Sequence, residues 1–161
     1  MNYKNLIYSL LCLSFSVIIG AAIYEHLAVV PQWSAAPPQS LSMFQGDYGL
    51  IAEAFWKMIH PVTLVLFILV LVLSLKSPRK PHVLYAFVGY VAILIITTFY
   101  FVPELIAITS TPYSNEINAD LTDRAGLWET ASIIRLMILI VLSIILFLGL
   151  TKFYENKENM G

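Results

Sequence analysis

Cysteine is almost absent: Cys12 stands alone in 161 residues. No internal disulfide can form, which argues against a four-helix thiol oxidase, a chemistry that needs cysteine pairs. Charge is scarce too, at 12% of residues against about 25% in an ordinary soluble domain. Phosphate-binding glycine loops, dinucleotide fingerprints, nucleophile elbows and cysteine-rich metal motifs are all missing. A formal net charge of -1 offers nothing to nucleic acid, and none is expected as a partner. What the chain has is hydrocarbon. Hydrophobic residues make up 59% and the mean hydropathy is +0.80, which leaves little room for a soluble domain. The expected class is all-α: a transmembrane four-helix bundle, one domain over residues 1–161, with the lipid bilayer around it.

The stretch WETASIIRLMILIVLSIILFLGL, from Trp128, is long enough to cross a hydrocarbon core of about 30 Å. It carries Arg135, a charge that costs at least ~2.5 kcal/mol in such a segment and so should face protein, water or a counter-ion. Trp128, Ser132 and Arg135 recur at helical spacing and form one stripe on the first two turns of a span over about 128–151. The other spans fall at about 6–30, 49–75 and 83–103. Gly20, Ala21 and Ala22 imitate a signal-cleavage site, but the apolar run continues past them, so it reads as an uncleaved first helix. Pro31 closes that helix and Pro103 ends the third. Within the second, Glu53 and Lys57 form a solvated pair, and Pro61 removes a backbone donor and should kink the helix.

Charge sets the expected orientation. Lys4, Lys76, Arg79, Lys80, Lys152 and Lys157 lie at the two chain ends and in the turn KSPRKPH, read as an exposed basic turn that includes His82. The two long loops and their helix ends carry only Lys57 and Arg124. By the positive-inside rule both termini are cytoplasmic and both long loops lie outside, in the plasma (inner) membrane.

That topology brings the polar residues of all four helices to the outer end: Glu25 and His26, Glu53 and His60, Glu104, then Glu129, Ser132 and Arg135. Bundles build sites from facing helices, so one outer pocket is the site hypothesis. His60, His26 and Arg135 are the catalytic candidates; Glu25, Glu104, Trp128, Glu129 and Ser132 are the binding candidates. Arg135 is expected to pair with Glu104, Glu25 or Glu129, and both imidazoles to line one cavity. His26, His60, Glu25 and Glu104 are also the metal-ligand candidates, as a His/carboxylate set suited to zinc or non-haem iron. The expectation for cofactors is none or a single bound metal. The bland alternative is that helix ends at an interface are normally polar and that Trp33, Trp56, Tyr100, Tyr113 and Trp128 form an aromatic belt.

Four segments, GAAIYEHLAVVPQW, IHPVTLVLF, TFYFVPELIAI and DRAGLWETASIIRLMIL, resemble the successive signatures of the anthrone-oxygenase-like family of small four-helix membrane proteins. The most specific is a Trp followed seven positions later by Arg, here Trp128 and Arg135. The family commonly carries asparagines where this chain has His60, Phe101, Glu104, Leu105 and Ser132, so an amide-lined pocket becomes one of histidine and carboxylate. The resemblance implies the four-helix fold and, for members with assigned activity, oxidation of a polycyclic phenolic anthrone by molecular oxygen.

Three functions compete. One is a membrane-embedded oxidoreductase or related enzyme on a lipophilic small molecule, with His26 or His60 as acid or base and Arg135 stabilising a developing oxyanion. Another is a non-catalytic subunit, in a homo-oligomer or larger membrane complex, whose polar cluster is a structural ion-pair network. The third is a transporter or channel component, for which four unbroken spans are few.

Overall fold

The computed structural model describes residues 3–152, so Lys157 and the rest of the tail lie outside the described residues. Four helices are long and apolar enough to span a membrane: α1 (Tyr3–Ser34), α2 (Glu53–Leu73), α3 (Lys80–Thr109) and α4 (Ala119–Leu150). There is no strand among the described residues. The helices close a ring in chain order, with α1 against α2 and α4, and α3 against α4 and, more sparsely, α2. This is a membrane-spanning helical bundle, as the composition requires.

The helix ends correct the expected boundaries. Pro31 does not close α1, because residues Glu25–Val29 widen into a π-helical turn in which the Val30 N–H donates to the Glu25 carbonyl. The chain then re-enters an α-helix at Val30–Ser34, with Pro31 in its first turn, where a missing N–H costs nothing. α3 repeats the device. Thr97–Phe101 is a π turn, the Val102 N–H donates to the Thr97 carbonyl, and Pro103 follows in the first turn of Val102–Thr109. In both helices a Val-Pro pair is absorbed by an extra residue in the preceding turn, so the span continues. α4 starts well before Trp128, at Ala119, where the Asn118 side chain accepts from the Leu121 N–H at 3.1 Å. Arg135 therefore stands near the middle of its helix and not on its first two turns. Pro61 lies inside α2, which is helical throughout, and its ring is exposed on the outside of the bundle.

α2 is the short member. Its 21 residues rise about 32 Å, while the 30 to 32 residues of the others rise about 45–48 Å. The excess falls at one end. Trp56, in the first turn of α2, reaches Glu25, well before the end of α1. At the other end the helices finish together.

Two apolar clusters result. The one at the end bearing the 74–79 turn draws on all four helices, with Tyr8, Leu11, Phe15, Phe67, Tyr90 and Leu146 among its members. The one at the long-loop end has no contribution from α2. Val30, Trp33, Phe101, Ile108, Leu121 and Trp128 form it, with Leu41 from the 3-10 turn Gln39–Phe44 closing it. Trp33 and Trp128 meet edge to face at 5.5 Å, and the Trp128 indole N–H donates to the Phe101 carbonyl at 2.9 Å.

The basic turn is not wholly exposed. Arg79 is only 5% exposed. Its Nη1 donates to Asn5 Oδ1 at 2.7 Å, its Nε to the Lys152 carbonyl at 2.9 Å, and its guanidinium lies 5.3 Å from the Tyr8 ring centre. It ties the start of α1 and the end of α4 to the turn. A cation beside the last carbonyls of a helix also complements the helix dipole. His82, read as an exposed turn residue, is half-buried in the first turn of α3, with its Nδ1 buried and unpartnered. Tyr8 donates to the Leu146 carbonyl at 2.7 Å. Gly149 makes this approach feasible, since a Cβ there would fall on the Tyr8 hydroxyl.

Candidate functional site

Between the two apolar clusters lies a polar layer, level with the two π turns. Turns of this kind occur often at functional sites. α1 brings Glu25 and His26, the first two residues of its π turn, and α3 brings Thr97, the first of its own. α2 supplies Trp56 and His60, and α4 supplies Ser132 and Arg135.

Arg135 is half-buried. Its Nη1 donates to Thr97 Oγ1 at 3.1 Å and its Nη2 to Ser132 Oγ at 2.8 Å, and its Cζ lies 4.1 Å from the Phe101 ring centre. A guanidinium has five N–H donors; hydrogen bonds engage two of them here. The expected carboxylate partner is not there. Glu104 instead accepts from Arg124 Nε at 2.7 Å on the bundle's flank, Glu129 accepts from the Ser34 hydroxyl at 2.9 Å, and Glu25 accepts from the Trp56 indole N–H at 3.0 Å. Each acid finds a donor nearer to its own level. Glu25 still lies within electrostatic reach of Arg135, as does His60.

The two imidazoles are held differently. His60 stacks on Trp56, with ring centres 5.3 Å apart and planes 21° apart, and its Nδ1 meets the Tyr90 hydroxyl at 2.7 Å. Among the described residues its Nε2 has no hydrogen-bond partner, and the side chain is half-buried. His26 directs Nδ1 to the Ala22 carbonyl at 2.8 Å, while its Nε2 is buried without a partner. Beneath His60, Thr63 donates to the Ile59 carbonyl at 2.8 Å and sits 2.6 Å from the Ser14 hydroxyl.

The structure therefore brings Glu25, His60, Ser132 and Arg135 into one layer and leaves Glu104 and Glu129 outside it. Trp128 belongs to the loop-end cluster above. No three His, Cys, Asp or Glu side chains among the described residues come together as a metal group. The proposed ligands His26, His60, Glu25 and Glu104 do not fit one, because Glu104 is held by Arg124 and Glu25 by Trp56. Reading the sequence missed Trp56 as an anchor, and missed Tyr90, Thr97, Thr63 and Ser14 altogether. Only Tyr90 carried a signal: a tyrosine deep in an apolar span must find a partner for its hydroxyl. No family model, curated protein or solved structure matches the chain.

Proposed function

We propose that this membrane-spanning bundle is a membrane-embedded enzyme that binds a lipophilic small molecule in the layer around Arg135. Oxidoreductase chemistry is the form suggested by its resemblance to the anthrone-oxygenase-like proteins. The observation that carries the reading is the state of Arg135: a guanidinium inside a span with, among the described residues, no carboxylate contact, two hydroxyl partners and three N–H groups left over. A purely structural arginine would be expected to use those donors on the protein. An acceptor oxygen on a ligand satisfies them, and donors of this kind stabilise negative charge developing on such an oxygen. The basic residues at the turn end support a cytoplasmic position for that end, with the polar layer towards the outer leaflet.

Trp56 stacks on His60, so indole fluorescence reports occupancy. Titrating lipophilic carbonyl compounds into the chain in nanodiscs should give saturable quenching. Arg135→Gln should weaken it about tenfold or more, the loss expected for one charge-assisted hydrogen bond. Equal, non-saturating quenching of both proteins would reject the site. For orientation, cysteines at the exposed positions Ser42 and Asn115 should react with impermeant reagents from outside, and one at Pro78 only after permeabilisation. Cys12 is buried and gives no background.

The structural reading keeps one observation in its favour: Glu25, His60, Ser132 and Arg135 each have a partner within the protein. Under it, substitutions in the layer change stability alone. A through-path for transport is disfavoured by Phe15, Phe67 and Tyr90, which pack ring to ring at 5.2 to 5.6 Å directly beneath the layer.

A further inference from the structure

We propose that His26 and His60 carry their protons on opposite ring nitrogens, and that Tyr90 is the positioning residue that sets His60. A neutral imidazole has one N–H and one bare nitrogen, and its partners decide which is which. For His26 the partner is the Ala22 carbonyl, which can only accept. Nδ1 must therefore hold the hydrogen, leaving the buried Nε2 with a free lone pair.

For His60 the partner is a hydroxyl, which can donate or accept, so the surroundings of Tyr90 decide. Tyr90 is wholly buried, its ring set between Phe15 at 5.2 Å and Phe67 at 5.5 Å, so its hydroxyl cannot swing to water. Thr63 lies close enough to Tyr90 to exert a hydrogen-bonding influence on it. The Thr63 hydroxyl is already committed, donating to the Ile59 carbonyl and lying 2.6 Å from the Ser14 hydroxyl, while the Tyr90 hydroxyl meets His60 Nδ1 at 2.7 Å. The hydrogen bond Tyr90 does make is to His60. A buried O–H without an acceptor is costly, so Tyr90 donates to Nδ1 and the hydrogen of His60 sits on Nε2. Trp56 fixes the face of the same ring, and the Glu25 carboxylate fixes Trp56.

The consequence, which rests on the function proposed above, is a division of labour. His60 Nε2–H and the unused N–H groups of Arg135 are all donors, suited to an acceptor oxygen of the ligand. Of the two histidines, only His26 has a lone pair to offer. Tyr90 touches no ligand and acts through His60.

Long-range proton–nitrogen correlation spectra of the full chain, labelled with 15N-histidine in nanodiscs, separate bare from protonated ring nitrogens. His26→Gln and His60→Gln assign the signals. The expected wild-type pattern is Nδ1–H for His26 and Nε2–H for His60. Tyr90→Phe should turn the His60 pattern into a mixture of both tautomers and leave His26 unchanged. Nδ1–H on His60, an imidazolium at either residue, or a His60 pattern indifferent to Tyr90→Phe would overturn the proposal. Should Tyr90→Phe not fold, the wild-type spectrum decides by itself. The measurement needs no ligand, so a chain that binds nothing at Arg135 loses the proposed function without touching the tautomer assignment.

Discussion

Arg79 and Arg135 are both drawn into the bundle, and among the described residues neither touches a carboxylate. Arg79 sits where four helices end together, and its partners are a backbone carbonyl, an amide oxygen and the Tyr8 ring. Those acceptors stand at the start of α1 and just past the end of α4, and without the guanidinium nothing of its kind joins them to the turn. Arg135 sits where the helices are widened by π turns and where α2 falls short, and its oxygen partners are two hydroxyls. A hydroxyl can rotate and find a carbonyl of its own helix. The first arginine is part of the scaffold and the second is held by it. The difference lies in what remains when each is removed.

The largest expected effect breaks this comparison directly. Arg79→Leu should cost about 3 kcal/mol, since two hydrogen bonds from a charged, buried donor that join α1 and α4 to the turn are lost. Arg135→Leu should cost only about 1 kcal/mol, because Thr97 and Ser132 re-pair within their helices. Reversible unfolding in mixed detergent micelles measures both. Equal costs would make Arg135 a second scaffold residue and weaken the proposed site.

The next test compares two glycines on one helix. At Gly149→Ala the new methyl meets the Tyr8 hydroxyl and the His82 side chain, and overpacking of this kind costs about 1–3 kcal/mol. At Gly126→Ala nothing lies within 4 Å, so the gain in helix propensity should stabilise by about 0.5–1 kcal/mol. Opposite shifts in melting temperature confirm that the turn end is the closely packed one; shifts of the same sign contradict it.

The smallest effect concerns Glu104, which the sequence places at the site and the structure does not. Its ion pair with Arg124 has side chains 26% and 36% exposed. Glu104→Gln should change stability by no more than about 0.5 kcal/mol and leave quenching by lipophilic compounds unaltered. A binding loss there would return Glu104 to the site.

Much of the architecture is legible in the amino-acid order alone. Hydropathy is a local property summed residue by residue, so no tertiary detail is needed to place four spans or to require a partner for Arg135 within them. The solvated Glu53–Lys57 pair is legible for the same reason, being four residues apart on one helix face, and it forms at 3.0 Å. The prolines are legible as breakers, but their outcome is not. Whether Pro31 ends a helix or is absorbed by a π turn depends on what the widened turn packs against.

Class, number of spans and the presence of a charge that must be housed among them thus follow from residue order. The partners do not. Tyr8 meets Leu146 across 138 positions, Arg79 meets Asn5 across 74, and His60 meets Tyr90 across 30. No periodicity encodes such pairs, because each depends on the relative rotation and height of two packed helices. The same geometry separates Arg135 from every acid proposed for it: each carboxylate is claimed first by a closer donor, and the guanidinium is left with donors to spare.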